Sequence, residues 1–269
     1  MRAHHFPDSD RLSVLAATIL LAYAASRFIN LPSRSYAVQF PGLYLSIDLN
    51  VRTIIGLLVA GLTASGADWL VRDHPARQGK STVEHWLLPA LTAGVIGVPL
   101  YGLPFGIAWL VGFLIGGALL MLVLLAEYIV VNPEDERYSL AAAGLTAVSF
   151  ALYLMLTIAL RSAGLRLFLA LPILTAAGGL VFLRTLHLRI HTQWSFLQTG
   201  ALVLIIAQTT TALHYLPLSP ITYGLALIGP AYALTNLVGS LMEGASFRQS
   251  ITEPVLVLLI VWGTAAWTR

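Results

Sequence analysis

Long apolar stretches separated by short polar connections run through almost the whole chain. Nine of them have the roughly 20 mostly apolar residues that a membrane-spanning helix needs; some are marginal, so eight spans are also possible. They are residues 12–28, 51–71, 84–102, 104–131, 139–160, 165–184, 195–215, 220–242 and 253–268. A backbone in lipid must satisfy its own hydrogen bonds, and the pattern lacks the period-two alternation of a barrel. The predicted fold is therefore an all-α, polytopic transmembrane bundle, a single integral membrane domain over residues 1–269.

The connection between the first two predicted helices has a different pattern. Apolar and polar residues alternate from Leu43 to Asn50, and Pro41 and Gly42 suit the central positions of a type II turn. Alternation with period two is typical of a strand that has one apolar face. We therefore expect a small amphipathic hairpin at the membrane surface, with an irregular interfacial loop as the alternative.

Two halves of the chain share a spacing of proline and glutamate. Pro104 precedes Glu127 by 23 residues, and Pro220 precedes Glu243 by the same 23. Each proline follows a very short outer connection, and each acid ends a predicted helix. The spacing is compatible with two four-helix repeats of the same orientation, residues 12–131 and 139–242, followed by a ninth helix. Parallel repeats of this kind occur in transporters, and chance similarity is the competing explanation.

The composition narrows the choice of partners and cofactors. Hydrophobic residues make up 58% of the chain and charged residues 10%, whereas a soluble domain carries about 25% charged residues. The net charge of +3 comes without a basic stripe, so no nucleic-acid partner is expected. The absence of cysteine excludes disulfides, thiolate zinc sites and cysteine-ligated iron–sulfur clusters. Membrane lipids, and other membrane subunits, are the expected partners, and the sequence names no cofactor.

The arginine and lysine residues of the connections predict an orientation. With the N-terminus inside, nine of these residues lie on the inner side and six on the outer side. The positive-inside rule favours this assignment. We therefore expect a multi-pass protein of a bacterial-type cell (inner) membrane, with a cytoplasmic N-terminus and an external C-terminus.

In this orientation, most ionisable residues collect at the inner ends of the helices. Such residues are costly within membrane segments and usually face the bundle interior or a cavity. Asp68 is the strongest candidate, because it lies about one turn inside Arg72 and shares a helix face with it. The candidate catalytic residues are Asp68, Glu127, His187 and His191, and the candidate substrate-binding residues are Arg72, His74, His85, Trp194 and Glu243.

Ordinary membrane roles compete with these assignments. Arg72 and Arg184 have the pattern of topology anchors that meet anionic head groups, and Trp194 is typical of an interfacial aromatic belt. Glu127 and Glu243 each follow a long apolar run with no cation beside them in the sequence. A carboxylate that reaches from a helix end to water explains them as well as a functional role does.

His187 and His191 lie four residues apart, a spacing that lets two imidazoles on a helix meet one metal ion. No glutamate follows His187 as in H-E-x-x-H, so a zincin is excluded. A metal site that adds Asp68 or Glu127 stays open, although we assign no metal. A b-type haem site is not favoured, because it needs histidines deep in the bilayer, usually on separate helices.

One architectural resemblance follows from these features. Nine helices, inner connections after helices 2 and 6, and the acidic stretch Asp68–Asp73 make the chain similar to the intramembrane aromatic prenyltransferases. That resemblance implies aspartate-rich motifs on both connections, where Mg²⁺ holds a diphosphate. The first motif here is short of aspartates, and residues 184–194 contain no acid. The ligands for metal and diphosphate are therefore missing, and the resemblance is one of architecture.

Three functions fit these patterns, and whether the protein is an enzyme stays open. The first is binding of, or action on, a lipid-phase or amphipathic small molecule at the polar cluster on the cytoplasmic face. We place it first because clustered histidines and acids need an explanation. The second is a small-solute transporter, supported by the possible repeats and by a polar stripe in helix 7. The third is a non-catalytic subunit or assembly factor of a membrane complex, supported by the small connections.

Overall fold

The computed structural model describes residues 9–28, 34–40, 43–49, 51–72, 74–77, 81–190 and 194–267, with side chains for residues 10–25, 54–72, 74–76, 81–190 and 194–267. This part of the chain contains nine long helices and one short one, α9. They are α1 (Ser9–Phe28), α2 (Val51–Arg72), α3 (Leu87–Gly102), α4 (Ile107–Ile129), α5 (Tyr138–Ser162), α6 (Leu167–Ile190), α7 (Phe196–His214), α8 (Pro220–Met242), α9 (Phe247–Ser250) and α10 (Thr252–Trp267).

Eight of the described stretches are long and apolar enough to cross a membrane: α2 to α8, and α10 together with α9. Short 3₁₀ turns at Pro75–Arg77 and Val83–His85 lie between α2 and α3. The all-α transmembrane bundle is therefore as predicted, and the chain is a multi-pass membrane protein. One helix boundary differs from the prediction: α6 continues to Ile190, whereas the predicted segment stops at Arg184.

Two antiparallel strands, β1 (Arg34–Phe40) and β2 (Leu43–Leu49), lie between α1 and α2. Phe40 pairs with Leu43 and Arg34 pairs with Leu49. This is the segment in which the alternating pattern predicts a hairpin. Pro41 and Gly42 lie outside the described residues, and the position of the hairpin at a membrane surface stays a prediction.

The long helices pack in two groups of four. In the first group, consecutive helices from α1 to α4 pack together, α1 closes the group against α4, and α2 also touches α4. The second group, α5 to α8, has the same set of neighbours, with α5 against α8 and α6 touching α8. The groups meet where α3 and α4 pack on α5 and α3 packs on α6, and α10 lies against α8. The duplication of residues 12–131 and 139–242 stays a prediction.

Small residues and a buried apolar interior hold the groups together. Val181, Phe182 and Leu227 are fully buried in the second group. In α4, a Cβ atom on Gly116 would lie 2.6 Å from Ile96 Cγ2 of α3, which is closer than two carbon atoms can approach. Glycine at this position therefore lets α4 pack directly on α3, as small residues do in membrane bundles.

The attachment of α10 to α8 depends on a proline. Pro230 has no N–H, so the carbonyl of Ala226, four residues earlier, loses its helical hydrogen bond. Trp262 Nε1 of α10 donates to that carbonyl at 3.2 Å. The indole thus satisfies a backbone acceptor that lipid could not satisfy.

Candidate functional site at the inner end of the bundle

We call inner the end of the bundle at which α2, α4, α6 and α8 terminate. There, Glu127 of α4 joins Arg184 of α6 to His85, the residue that ends the turn before α3. Arg184 Nε donates to Glu127 Oε1 at 3.0 Å, Arg184 Nη2 donates to Oε2, and His85 Nδ1 lies 2.8 Å from Oε2. The exposed fractions are 1% for Glu127, 2% for Arg184 and 6% for His85. We call these three residues the Glu127 cluster.

The hydrogen bonds of the Glu127 cluster fix the tautomer of His85. An ionised carboxylate only accepts hydrogen bonds, so Nδ1 of His85 must carry the proton that it donates to Glu127. The 3.4 Å separation of Arg184 Nη2 from the same Nδ1 is then an approach of two donors. Nε2 is left as the second polar atom of the ring, and no described residue is hydrogen-bonded to it.

Arg184 does not have the anchoring role that its sequence position suggested. It lies six residues before the end of α6, roughly 9 Å inside the helix terminus, and its guanidinium is enclosed by protein. The predicted helix stopped at this arginine, so a head-group contact was expected. The real α6 runs on through Thr185–Ile190 and places the charge in the interior.

The interpretation of Glu127 as a carboxylate that reaches water is also wrong. Its cation is absent from the neighbouring sequence because it comes from another helix, 57 residues away. The buried carboxylate has a bidentate arginine partner, the strongest geometry for such a pair. Glu127 is therefore paired inside the bundle.

Asp68 forms a second polar group beside the first. The predicted pair with Arg72 is present, at 2.6 Å, and Thr82 Oγ1 also donates to Asp68. The indole of Trp86 faces the same carboxylate without reaching hydrogen-bond geometry. Asp68 is buried, whereas the side chain of Arg72 is 62% exposed. Since Trp86 directly follows His85, this group adjoins the Glu127 cluster.

The remaining candidates divide into those near this region and those apart from it. His74 is buried, accepts a hydrogen bond from Ala76 N at 3.1 Å and contacts the ring of Tyr128 edge-on. His187 stacks on Trp194 with ring centroids 4.8 Å apart. His191 lies outside the described residues.

Glu243 is not part of the Glu127 cluster. Its carboxylate is 45% exposed and pairs with Arg189 of α6 at 3.4 Å. Arg189 also donates to the backbone oxygen of Asn236. The two glutamates that share a sequence spacing therefore have different environments, one enclosed and one at the surface.

The described residues do not bring three metal-binding side chains together. Within residues 9–28, 34–40, 43–49, 51–72, 74–77, 81–190 and 194–267, no three His, Cys, Asp or Glu side chains could hold a metal ion together. The pair His187 and His191 stays untested as a ligand pair. Sequence reasoning did not single out Thr82, which completes the Asp68 group from the connection between two helices.

Comparison of the chain with curated proteins and with solved structures gives no match. One family model, described as protein of unknown function (DUF5656), matches residues 31–268. The match covers every helix that contributes to the inner-end site. The chain therefore belongs to the DUF5656 family.

Proposed function

We propose that this protein binds, or acts on, a lipid-phase or amphipathic small molecule at the inner end of its bundle. The observation that carries the proposal is the buried Glu127 carboxylate, which holds His85 in one tautomer while Arg184 holds the carboxylate.

A stabilising role alone does not account for the Glu127 cluster. Removing two charges from water is costly, and well-packed hydrophobic residues often replace a buried ion pair at no loss of stability. Adding a histidine to the pair brings no further charge compensation while the imidazole is neutral. The arrangement does orient the ring, as a carboxylate does for histidines that bind metals or transfer protons. His85 Nε2 is therefore the atom that we expect to meet the ligand.

The surroundings favour an amphipathic ligand. Arg72 presents an exposed guanidinium beside the buried Asp68, so a polar head group that enters from the inner side meets charge first. On the sides of α2 and α4 that face away from the bundle, large apolar residues such as Trp69 and Leu122 are exposed. A molecule with a polar head and an apolar body can satisfy both environments.

Native mass spectrometry of the protein purified in mild detergent tests the proposal. We expect a reproducible small-molecule adduct on the wild-type protein and its loss in His85→Ala. The matched control is His214→Ala, because His214 lies at the outer end of α7. An adduct that persists unchanged in His85→Ala, or no adduct in any sample, overturns the proposal. A co-purifying protein chain without an adduct would instead support the subunit alternative.

A small-solute transporter is the second candidate, because the two four-helix groups share one neighbour pattern. Transport requires that ligand binding change both ends of the bundle, whereas a binding protein or enzyme needs changes only at the inner end. Single cysteines at Ser162 and Ser246, exposed at the outer and inner ends, report this by their labelling rates. Ligand-dependent changes at both positions would favour transport.

A further inference from the structure

The first turn of α7 lacks the side-chain cap that its sequence offers. Ser219 shows the usual arrangement before α8, with an extended backbone and a hydroxyl that accepts a hydrogen bond from Thr222 N at 3.1 Å. Ser195 stands at the same position before α7, but its ψ is 51° and its side chain makes no capping hydrogen bond. The first N–H groups of a helix have no acceptor within the helix. At α7, Ser195 does not supply one.

Two buried hydroxyls lie at this helix start without a partner. Ser195 is 3% exposed and Thr199 is 8% exposed, and neither hydroxyl oxygen has a hydrogen-bond partner in the part of the chain on view. Thr199 N bonds to Ser195 O, so the two residues are one helical turn apart on one face. Buried hydroxyls without partners are rare in folded proteins, and each calls for an explanation.

The buried threonines of the helices fall into two sets, and Thr199 belongs with Thr185 and Thr210, whose hydroxyls also have no hydrogen-bond partner among the described residues. Four buried helical threonines donate to the carbonyl four residues earlier, each at 2.7 Å: Thr63, Thr92, Thr157 and Thr235. The equivalent bond from Thr199 would go to Ser195 O, and it is not made. Both hydroxyls of this turn therefore forgo the local acceptors that serine and threonine normally use.

The electrostatics of the helix start select the sign of a ligand. Backbone N–H groups without acceptors and the helix dipole together favour an anion at a helix N-terminus. Hydroxyls donate to such a group as readily as N–H groups do. Both hydroxyl oxygens are buried without a partner among the described residues, and an oxygen of a phosphate or carboxylate accepts the hydrogen bonds that hydroxyls donate.

The residues beside the start of α7 form an exposed apolar surface. Phe196 is 65% exposed and Leu197 is 84% exposed, directly beside the N–H groups. Trp194 stacks on His187, and His187 lies one turn after Arg184 on α6. The α7 start is thus connected to the Glu127 cluster along α6 and borders an apolar outer face.

We propose that the first turn of α7 binds the oxyanion of an amphipathic molecule, a phosphate or carboxylate, through the hydroxyls of Ser195 and Thr199 and the N–H groups of Leu197 and Gln198. The inference rests on the proposed function and names the charged group of its ligand. A phospholipid head group and free phosphate share this chemistry.

Thermal unfolding of the full-length protein in mild detergent separates the two sources. The probes are phosphatidylglycerol or phosphatidylcholine added to the micelles, and inorganic phosphate alone. We expect phosphatidylglycerol to raise the Tm by about 2–4 °C over phosphatidylcholine, and Ser195→Ala/Thr199→Val to lose this difference. A rise with inorganic phosphate alone would identify free phosphate as the ligand.

The control variant is Ser219→Ala, which removes a working helix cap. It should lower the Tm under every condition and keep the phosphatidylglycerol shift. Thr199→Val alone provides a milder test if the double variant does not fold. The oxyanion site is overturned if the Tm shift is the same in wild-type protein, in Ser195→Ala/Thr199→Val and in Thr199→Val. It is also overturned if no probe shifts the Tm. If the His85-dependent adduct is present while the shift is absent, the oxyanion site fails and the proposed function stands.

Discussion

A carboxylate that is 1% exposed in a membrane helix stays charged only if its neighbours replace the water that it has lost. Arg184 supplies two hydrogen bonds and a positive charge to Glu127, and His85 supplies a third hydrogen bond. The members of this cluster come from α4, α6 and the turn before α3. A change at one of them therefore leaves an unsatisfied group in a place that water does not reach.

Arg184→Met removes the charge and keeps most of the side-chain volume. We expect it to lower the free energy of unfolding by about 3–5 kcal/mol, because the Glu127 carboxylate is left buried without its cation. The double variant Arg184→Met/Glu127→Met should be much closer to wild type than the sum of the two single changes. Denaturant unfolding in detergent, followed by circular dichroism, measures the stabilities of Arg184→Met, Glu127→Met and the double variant.

The comparison variant for that experiment is Arg137→Met. Arg137 pairs with Asp135 at 3.3 Å in a partly exposed connection, so its loss should cost about 0–1 kcal/mol. Additive effects of the Arg184 and Glu127 changes would show that the two side chains do not act as a pair.

Part of this site could be predicted from single residues and part could not. Asp68 and Arg72 are four apart on one helix, so their pairing follows from helix geometry alone. The partner of Glu127 depends on which helix lies beside α4 and on how far α6 continues. Those facts belong to tertiary packing, and a single sequence carries no direct signal for them.

At the scale of whole helices, length and apolarity were sufficient to predict nearly every element. The positions of the spans follow from the roughly 20-residue requirement, because lipid leaves the backbone no other acceptors. The ends are less well determined. Polar residues such as Thr185 and His187 can continue a helix past the apolar run, and α6 does so.

The link between α8 and α10 makes a prediction of non-additivity. Trp262→Phe should lower the free energy of unfolding by about 1–2 kcal/mol. The reason is that the Ala226 carbonyl loses the hydrogen bond from the indole, and no other described group donates to it. In a Pro230→Ala background the restored backbone N–H bonds to Ala226 again, so the same tryptophan change should cost far less. Thermal unfolding of the two single variants and the double variant measures this cycle. Equal costs in both backgrounds would mean that the indole contributes by packing and not by this hydrogen bond.

The contact of α4 with α3 depends on the absence of a side chain at Gly116. Gly116→Ala places a methyl group against Ile96, and overpacking of this kind costs about 1–3 kcal/mol. Gly144→Ala in α5 is the matched control, because no neighbouring heavy atom lies within 4 Å of the new methyl group. It should be neutral or stabilising, since alanine favours a helix over glycine. Thermal unfolding of the two variants side by side is the measurement, and equal costs would contradict the packing role of Gly116.

At the scale of the molecule, the two four-helix groups meet through the site. His85 and Glu127 belong to the first group and Arg184 to the second, so the inner end is joined by charge while α3, α4 and α5 join the groups by packing. If the groups are repeats, their shared neighbour pattern follows from one ancestral packing. The different environments of Glu127 and Glu243 would then record separate roles that the two halves acquired.

The orientation of the whole bundle decides which compartment the site faces, and the chain is well suited to a direct test. It contains no cysteine, so single cysteines can be introduced without background. Ser162 ends α5 and Ser246 follows α8, on opposite ends of the bundle, and Ala266 near the end of α10 lies on the same side as Ser162. With a cytoplasmic N-terminus, an impermeant maleimide should label Ser162→Cys and Ala266→Cys in intact cells and Ser246→Cys only after permeabilisation.

The opposite labelling pattern would place the Glu127 cluster and the start of α7 on the external side. The charge distribution that predicts the orientation, nine cationic residues against six, is a modest asymmetry, and Arg184 no longer counts as a surface charge because it is buried. The number of cationic residues at the inner surface therefore falls from nine to eight, and the predicted orientation rests on eight inner against six outer residues. Since the proposed ligand must reach the site from the side that Arg72 faces, the labelling result also decides whether that ligand comes from the cytoplasmic or the external leaflet.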